Sequence, residues 1–320
     1  MTALTSPFAS HIARLRAHHR ALGVAYTRER RFLAEFERLT VGWPDDVLSE
    51  ALVRTYLGGR TEGGRPHRLT VMRALARFLV LEEPRTFVPP PRFLGIRRRR
   101  PPAIRVLSRE EAGRFLLACD AVSETSGFPR GLIRGTALRV LLLTGLRCGE
   151  LLALHDQDVD LVEQVITVRC GKFGKTRFVP VSRDLADRLR TYREALRAHV
   201  IDRDGADPFF PRLGGRQRLQ PKSLYQSFRD VLTLAGIPHL GRGRGPRLHD
   251  LRHSFAVLRL LSWYETGADL RTKLPLLATY LGHVGLASSQ DYLHMTEDLV
   301  GEVVTRQRKA FGELITEAAP

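Results

Sequence analysis

Residues 159–182 read VDLVEQVITVRCGKFGKTRFVPVS, and within them the period of the chain changes. β-branched residues crowd the stretch, as they do on a pleated surface, and the spacing predicts three short strands near 159–162, 165–170 and 176–181. The segment GKFGKT lies between the second and third strands, which puts Lys172 and Lys175 at a hairpin tip. On both sides the apolar residues recur at helical spacing instead. Ser108 and Glu111 form a capping-box pattern that opens a helix through Cys119; a second helix runs from about Gly131 to Leu143 and stops at Gly145, and GELLAL starts another. Beyond the strands, helices are predicted over Arg183–His199 and Ser223–Ala235, and GRGRGPR delivers the chain to LHDLRHSFA at 248–256. The fold class is therefore mainly α with a small antiparallel β-sheet.

Further toward the N-terminus, four short amphipathic helices are predicted. Phe8, Ile12, Leu15 and Leu22 recur behind TSP, where Ser6 can cap and Pro7 can take the first helical position. Phe32, Leu33 and Phe36 mark a second helix, Val47 to Leu57 a third, and Leu69, Met72, Ala76 and Leu79 a fourth. Next comes FVPPPRFLGIRRRRPP, in which two proline clusters bracket Arg97, Arg98, Arg99 and Arg100. Prolines hold such a segment extended, so a basic run there can follow a line of negative charge. A chain of 320 residues is comfortable as two domains. The division read here is 1–88 for a helical domain, 89–104 for a basic linker and 105–320 for a second domain.

Lys plus Arg number 51 against 34 for Asp plus Glu, a formal net charge of +17. That excess makes a polyanion the default partner, since a basic surface gains affinity by releasing counterions from phosphates. Three cysteines, Cys119, Cys148 and Cys170, form no CxxC pair, so neither a disulfide framework nor a zinc knuckle is indicated and a reducing cytosolic compartment fits. The N-terminus lacks an apolar h-region and no window approaches a membrane span, so neither export nor insertion is expected.

Three stretches carry residue types suited to phosphate chemistry. On a helix, His249 and Arg252 lie three apart and share a face, so a proton-transfer group stands beside a guanidinium fork that matches two phosphate oxygens. The plainer reading is a capped helix start with an exposed arginine. In LLLTGLRCGELLAL, Arg147 sits just past a glycine break between apolar runs, where a charge needs a ligand or a partner such as Glu150. In TYLGHVGLASSQDYLHMT, His283 precedes Tyr292 by nine residues. A tyrosine can serve as a covalent nucleophile when its proton is taken and cations stabilise the phenolate, or its ring can simply pack.

The ordered set TGLRCGELLAL, GKFGKTRFVPV, LHDLRHSFA and LGHVGLASSQDYLH resembles the tyrosine recombinases, the family of phage integrases, Xer-type recombinases and related mobile-element enzymes. The resemblance implies a two-domain DNA clamp, with an N-terminal core-binding (SAM-like) domain and a catalytic domain that closes around double-stranded DNA. Its catalytic set falls on Arg147, Lys172, His249, Arg252, His283 and Tyr292, with Tyr292 as nucleophile and Glu150 supporting the first arginine. Arg97 to Arg100, Lys175 and Arg177 would lie on DNA. A homo- or hetero-tetramer on paired sites is implied, coupled through the C-terminal helix whose stripe is Leu299, Val303, Phe311 and Leu314. No cofactor and no metal are expected, because the phosphotyrosyl ester keeps the bond energy for religation; the spacing of His249, His253, His283 and His294 matches no common zinc site. A cytoplasmic, nucleoid-associated bacterial protein follows.

Two departures qualify the match. Phe173 stands where the family commonly has the second glycine of GKGxK, so Lys175 can trade roles with Lys172. The interval from Arg252 to His283 is longer than in compact Xer-type members and resembles integrases of transposon-like elements with tandem recombinase genes. A non-catalytic DNA-binding accessory factor and a type IB topoisomerase-like relaxing enzyme are the alternative readings.

Overall fold

The computed structural model describes residues 5–23, 27–58, 64–96, 104–122, 128–169, 176–200, 202–212, 214–239, 241 and 245–282. The chain divides into two compact units between Pro101 and Pro102.

The first unit holds α1 (Ala9–Ala21), α2 (Thr27–Leu39), α3 (Glu50–Gly58) and α4 (Arg65–Leu79). Their apolar stripes meet in a core that includes Phe8, Ile12, Leu15, Leu33, Phe36, Tyr56 and Met72. Two starts differ from the sequence expectation. Ser6 Oγ accepts from Phe8 N at 3.1 Å and bonds Thr40 Oγ1 at 2.7 Å, so Pro7 stays in a turn and α1 begins at Ala9. Leu22, past the end of α1, is 57% exposed and leaves the stripe. Asp45 Oδ1 accepts from Val47 N and Ser49 Oγ from Leu52 N, which makes Ser49 the cap and delays α3 to Glu50. Phe93 and Ile96, which the sequence places in the linker, are buried against this core.

The second unit is built around α6 (Arg130–Thr144), which is buried on nearly every side through Ile133, Ala137, Leu138, Val140, Leu141 and Leu142. A helix buried on so many sides has to be surrounded. The surrounding elements include α5 (Arg109–Asp120), α8 (Arg183–His199), α9 (Pro221–Leu234) and α10 (Leu248–Glu265). The capping box is present at the start of α5: Ser108 Oγ accepts from Glu111 N at 3.1 Å, and the Glu111 carboxylate accepts from Ser108 N at 2.9 Å. Just before it, Leu107 N donates to Ser254 Oγ at 2.9 Å, and that hydroxyl donates to Asp250 O at 2.8 Å, so the entering chain is fastened to the first turns of α10. Among the described residues, no helix is long and apolar enough to cross a membrane.

The sheet is antiparallel in the order β1 (Val159–Asp160), β2 (Val165–Val168), β3 (Arg177–Pro180). Asp160 Oδ1 accepts from Val162 N and Glu163 N, both at 2.9 Å, and this Asx-type turn ends β1 two residues earlier than the sequence predicts. Ile166 pairs with Val179 and Val168 with Arg177. Ile166, Val168 and Val179 are buried while Phe178 is 69% exposed, so side chains alternate between core and solvent. Arg177 stands two residues from Val179 and therefore shares its inward face. The hairpin tip at 170–175 lies outside the described residues.

Candidate active site

α10 begins with its N-cap Arg247 tied to the buried Asp250. The carboxylate accepts from Arg247 N at 3.0 Å, Nε at 3.2 Å and Nη2 at 2.9 Å. An acidic group three residues into a helix satisfies an otherwise orphaned N–H and suits the positive end of the dipole. This clamp fixes the turn that carries His249 and Arg252. The Arg252 side chain points inward and is 2% exposed. Its Nη1 donates to Gly145 O and its Nη2 to Leu281 O, both at 2.7 Å. His249 points outward, with its ring edge-on to His253 at a centroid separation of 4.9 Å.

Gly145 ends α6 in the left-handed region, with φ 63°. A β-carbon there would come within 2.6 Å of Phe255 Cδ1 and 2.9 Å of Leu281 Cδ2, so glycine is required by both backbone and space. The reversal puts Arg147 at the N-cap of α7 (Cys148–Ala153). Glu150 accepts from Arg147 N at 2.9 Å and from Arg147 Nη1 at 2.7 Å. The same carboxylate accepts from Arg177 Nη1 at 3.0 Å and Nη2 at 2.8 Å.

The arginines converge on the carbonyl end of α11 (Leu270–Leu281). Helix C-termini leave carbonyls without intrahelical partners and concentrate partial negative charge. Three consecutive carbonyls here each receive a different arginine: Tyr280 O takes Arg177 Nε at 2.9 Å, Leu281 O takes Arg252, and Gly282 O takes Arg147 Nη2 at 3.2 Å. One helix end thus collects guanidiniums from β3, α10 and the start of α7.

The electrostatics follow from this packing. Burial works to raise the Glu150 carboxyl, but the bonds from Arg177 and Arg147 outweigh it and hold the group at about 2. His249 is pushed below its ordinary value by the atoms packed around its ring and by Arg252, which leaves the imidazole neutral and able to accept a proton near pH 7. Burial and the neighbouring His249 lower His253 to about 4. Burial raises the thiol of Cys148, so the cysteine beside Arg147 is held as an unreactive thiol. Among the described residues, no group of three His, Cys, Asp or Glu side chains is placed to hold a metal ion.

Of the residues singled out in the sequence, the structure brings together Arg147, Glu150, His249 and Arg252. Arg177, expected on DNA, turns inward with Val179, and each of its nitrogens donates to Glu150 or Tyr280 O. Lys172, Lys175, His283, Tyr292 and Arg97 to Arg100 lie outside the described residues. Asp250 and the carbonyls of residues 280–282 join the cluster beyond the residues the motifs single out. Asp250 was signalled by its place three residues after Arg247; backbone carbonyls carry no signal in side-chain identity.

The sequence model of the phage integrase family matches residues 105–298. The chain is 33% identical over 317 residues to y4rE, an integrase/recombinase homologue of Sinorhizobium fredii, spanning 96% of this chain and 97% of that protein. It is 31% identical over 245 residues to the tyrosine recombinase XerD of Caulobacter vibrioides, spanning 74% of this chain and 72% of that one. Among solved structures, the lambda integrase tetramer bound to a Holliday junction aligns with a TM-score of 0.56 at 16% identity, over 91% of this chain and 78% of that one. At that identity the likeness speaks for the fold.

Proposed function

Because the chain belongs to the phage integrase family of tyrosine recombinases, we propose that the cluster at the end of α11 is the phosphate-binding half of a site that cuts and rejoins DNA. The enzyme is a tyrosine-type site-specific recombinase. In the proposed chemistry, the phenol oxygen of Tyr292 attacks the scissile phosphorus in line. The bond to the 5′-oxygen breaks, leaving a 3′-phosphotyrosyl ester and a 5′-hydroxyl. His249 takes the phenol proton, and Lys172, or Lys175 in its place, gives a proton to the departing oxygen. Arg147 and Arg252 neutralise charge growing on the non-bridging oxygens, and His283 donates to one of them. Attack by another strand's 5′-hydroxyl on the ester reverses the step, through a Holliday junction, without an external energy source.

The observation that carries this reading is the convergence of arginines from separate segments on one helix end, with the neutral His249 one turn from Arg252. Preorganised cations lower a phosphoryl-transfer barrier because they need not reorganise as charge develops. The partner is double-stranded DNA. Residues 1–88 serve as the core-binding domain, 89–104 as the basic connection and 105–320 as the catalytic domain. Protomers form a tetramer on paired sites, with the stripe of Leu299, Val303, Phe311 and Leu314 as the contact between neighbours. The role is the movement of a genetic element within the bacterial cytoplasm.

The test is a suicide duplex, nicked beside the cleavage position and taken from the ends of the element that carries the gene. Wild-type protein is expected to give a denaturation-resistant protein–DNA band that Tyr292→Phe abolishes. A band that survives in Tyr292→Phe, or a wild type that binds tightly and never forms one, overturns the assignment.

A further inference from the structure

The scheme above leaves one arginine of the cluster without a task. The side chain of Arg177 is 13% exposed, its strand pairing turns it to the core beside Val179, and all three of its nitrogens donate to protein groups. We propose that Arg177 is a positioning residue: by gripping Glu150 and the end of α11 together, it sets the guanidinium of Arg147 that meets the scissile phosphate. This rests on the recombinase reading.

Three observations carry it. Both oxygens of Glu150 are shared. Oε1 takes Arg177 Nη1 and Arg147 Nη1, and Oε2 takes Arg177 Nη2 and the Arg147 backbone. A carboxylate held on one side alone keeps rotational freedom about its terminal torsion, and the fork from Arg177 removes it. Second, Arg177 lies flat against the peptide that receives Arg147. A β-carbon on Gly282 would stand 3.0 Å from Arg177 Nη1 and 3.1 Å from Cζ, while Gly282 O accepts from Arg147 Nη2. Displacing Arg177 therefore disturbs both anchors of Arg147. Third, two guanidiniums share one carboxylate, so Arg147, Arg177 and Glu150 carry a surplus positive charge before any phosphate arrives. Lysine, a point charge, cannot reach both carboxylate oxygens and a carbonyl at once.

The experiment compares wild type, Arg177→Lys and Arg177→Met in the full chain by single-turnover cleavage of the suicide duplex at saturating protein, with duplex affinity measured separately. Each reaction is repeated on a duplex whose scissile phosphate is a methylphosphonate, which has lost the charge Arg147 neutralises. Both variants are expected to cleave about 100-fold more slowly or worse, with affinity changed less than about threefold. On the methylphosphonate the deficit should shrink to about tenfold or less. Equal deficits on both duplexes, or a wild-type rate in Arg177→Lys, overturn the positioning role. So does weaker binding by Arg177→Met with a salt dependence shallower by about one, the mark of a lost phosphate contact. If Arg177→Met does not fold, Arg177→Lys with its melting curve carries the test alone. Failure of the wild type to form any adduct overturns the recombinase reading and this inference together, whereas a normal adduct with a normal Arg177→Lys sinks the inference only.

Discussion

Each unit of the molecule holds a carboxylate shared by two arginines, and the two triads behave differently. In the first unit, Glu35 accepts from Arg68 Nε at 3.1 Å and Nη2 at 2.9 Å, and from Arg31 Nε at 3.3 Å. Arg68 then lies over the Phe32 ring at 5.2 Å, and the Arg31 side chain is 78% exposed. In the second unit, Glu150 takes Arg177 and Arg147, and both arginines go on to backbone carbonyls at the end of α11. The first triad ends on an aromatic face and in water, so its work is finished when the helices are packed. The second ends on a helix terminus that also holds Arg252, and Arg147 keeps 28% of its side chain open to a ligand. What separates the two clusters is where the donors left over by the carboxylate are sent.

The largest effect expected on this contrast comes from Arg252→Ala. Loss of an arginine proposed to meet the transition state should slow cleavage by roughly a thousandfold or more, measured by single turnover at saturating protein. Near-normal cleavage by that variant would place the essential cations elsewhere. The next is a pair of substitutions. Glu150→Gln and Glu35→Gln should each lower stability by about 3 kcal/mol in denaturant melts, because each leaves one largely buried arginine, Arg177 or Arg68, without its carboxylate. Only Glu150→Gln should also slow cleavage by the folded fraction; an equal loss of rate in Glu35→Gln would erase the distinction.

A smaller effect is in pH. His253 is lowered to about 4 from an ordinary 6.5, so between those values the unfolded chain binds a proton that the native state refuses. Stability is therefore lost as pH falls from 6.5 toward 4, and His253→Gln should flatten the fall in melting temperature over that window. The base proposed at His249 is lost on protonation, so cleavage should decline on the acid side as well, with a midpoint below the ordinary histidine value. The smallest effect is expected at Phe178→Ser, on the outer face of β3, where stability should change by less than about 0.5 kcal/mol and the rate not at all.

Much of this arrangement was legible in the sequence. The capping box at Ser108, the glycine stop at Gly145 and the three strands all follow from local patterns of spacing and residue type, whereas His249 and Arg252, three apart on one helix, point outward and inward. The direction of Arg177 is also written there, in its alternation with Val179. The ends of β1, α1 and α3 were missed because Asp160, Ser6 and Ser49 compete for backbone N–H groups over one or two residues. The carbonyls of Tyr280, Leu281 and Gly282 were beyond reach, since their use depends on where α11 stops and which arginines the tertiary fold delivers.

The bond from Leu107 to Ser254 has a mechanical side. Leu107 lies a few residues past the division between the units, so the chain leaving that boundary is bolted to α10 almost at once. The Leu107 amide meets the Ser254 hydroxyl, which donates to the carbonyl of Asp250, whose carboxylate holds Arg247 in place. Hydrogen bonds in series thus join the entering chain to the turn bearing His249 and Arg252. The order of residues 104–107 and the placement of His249 and Arg252 share one run of hydrogen bonds.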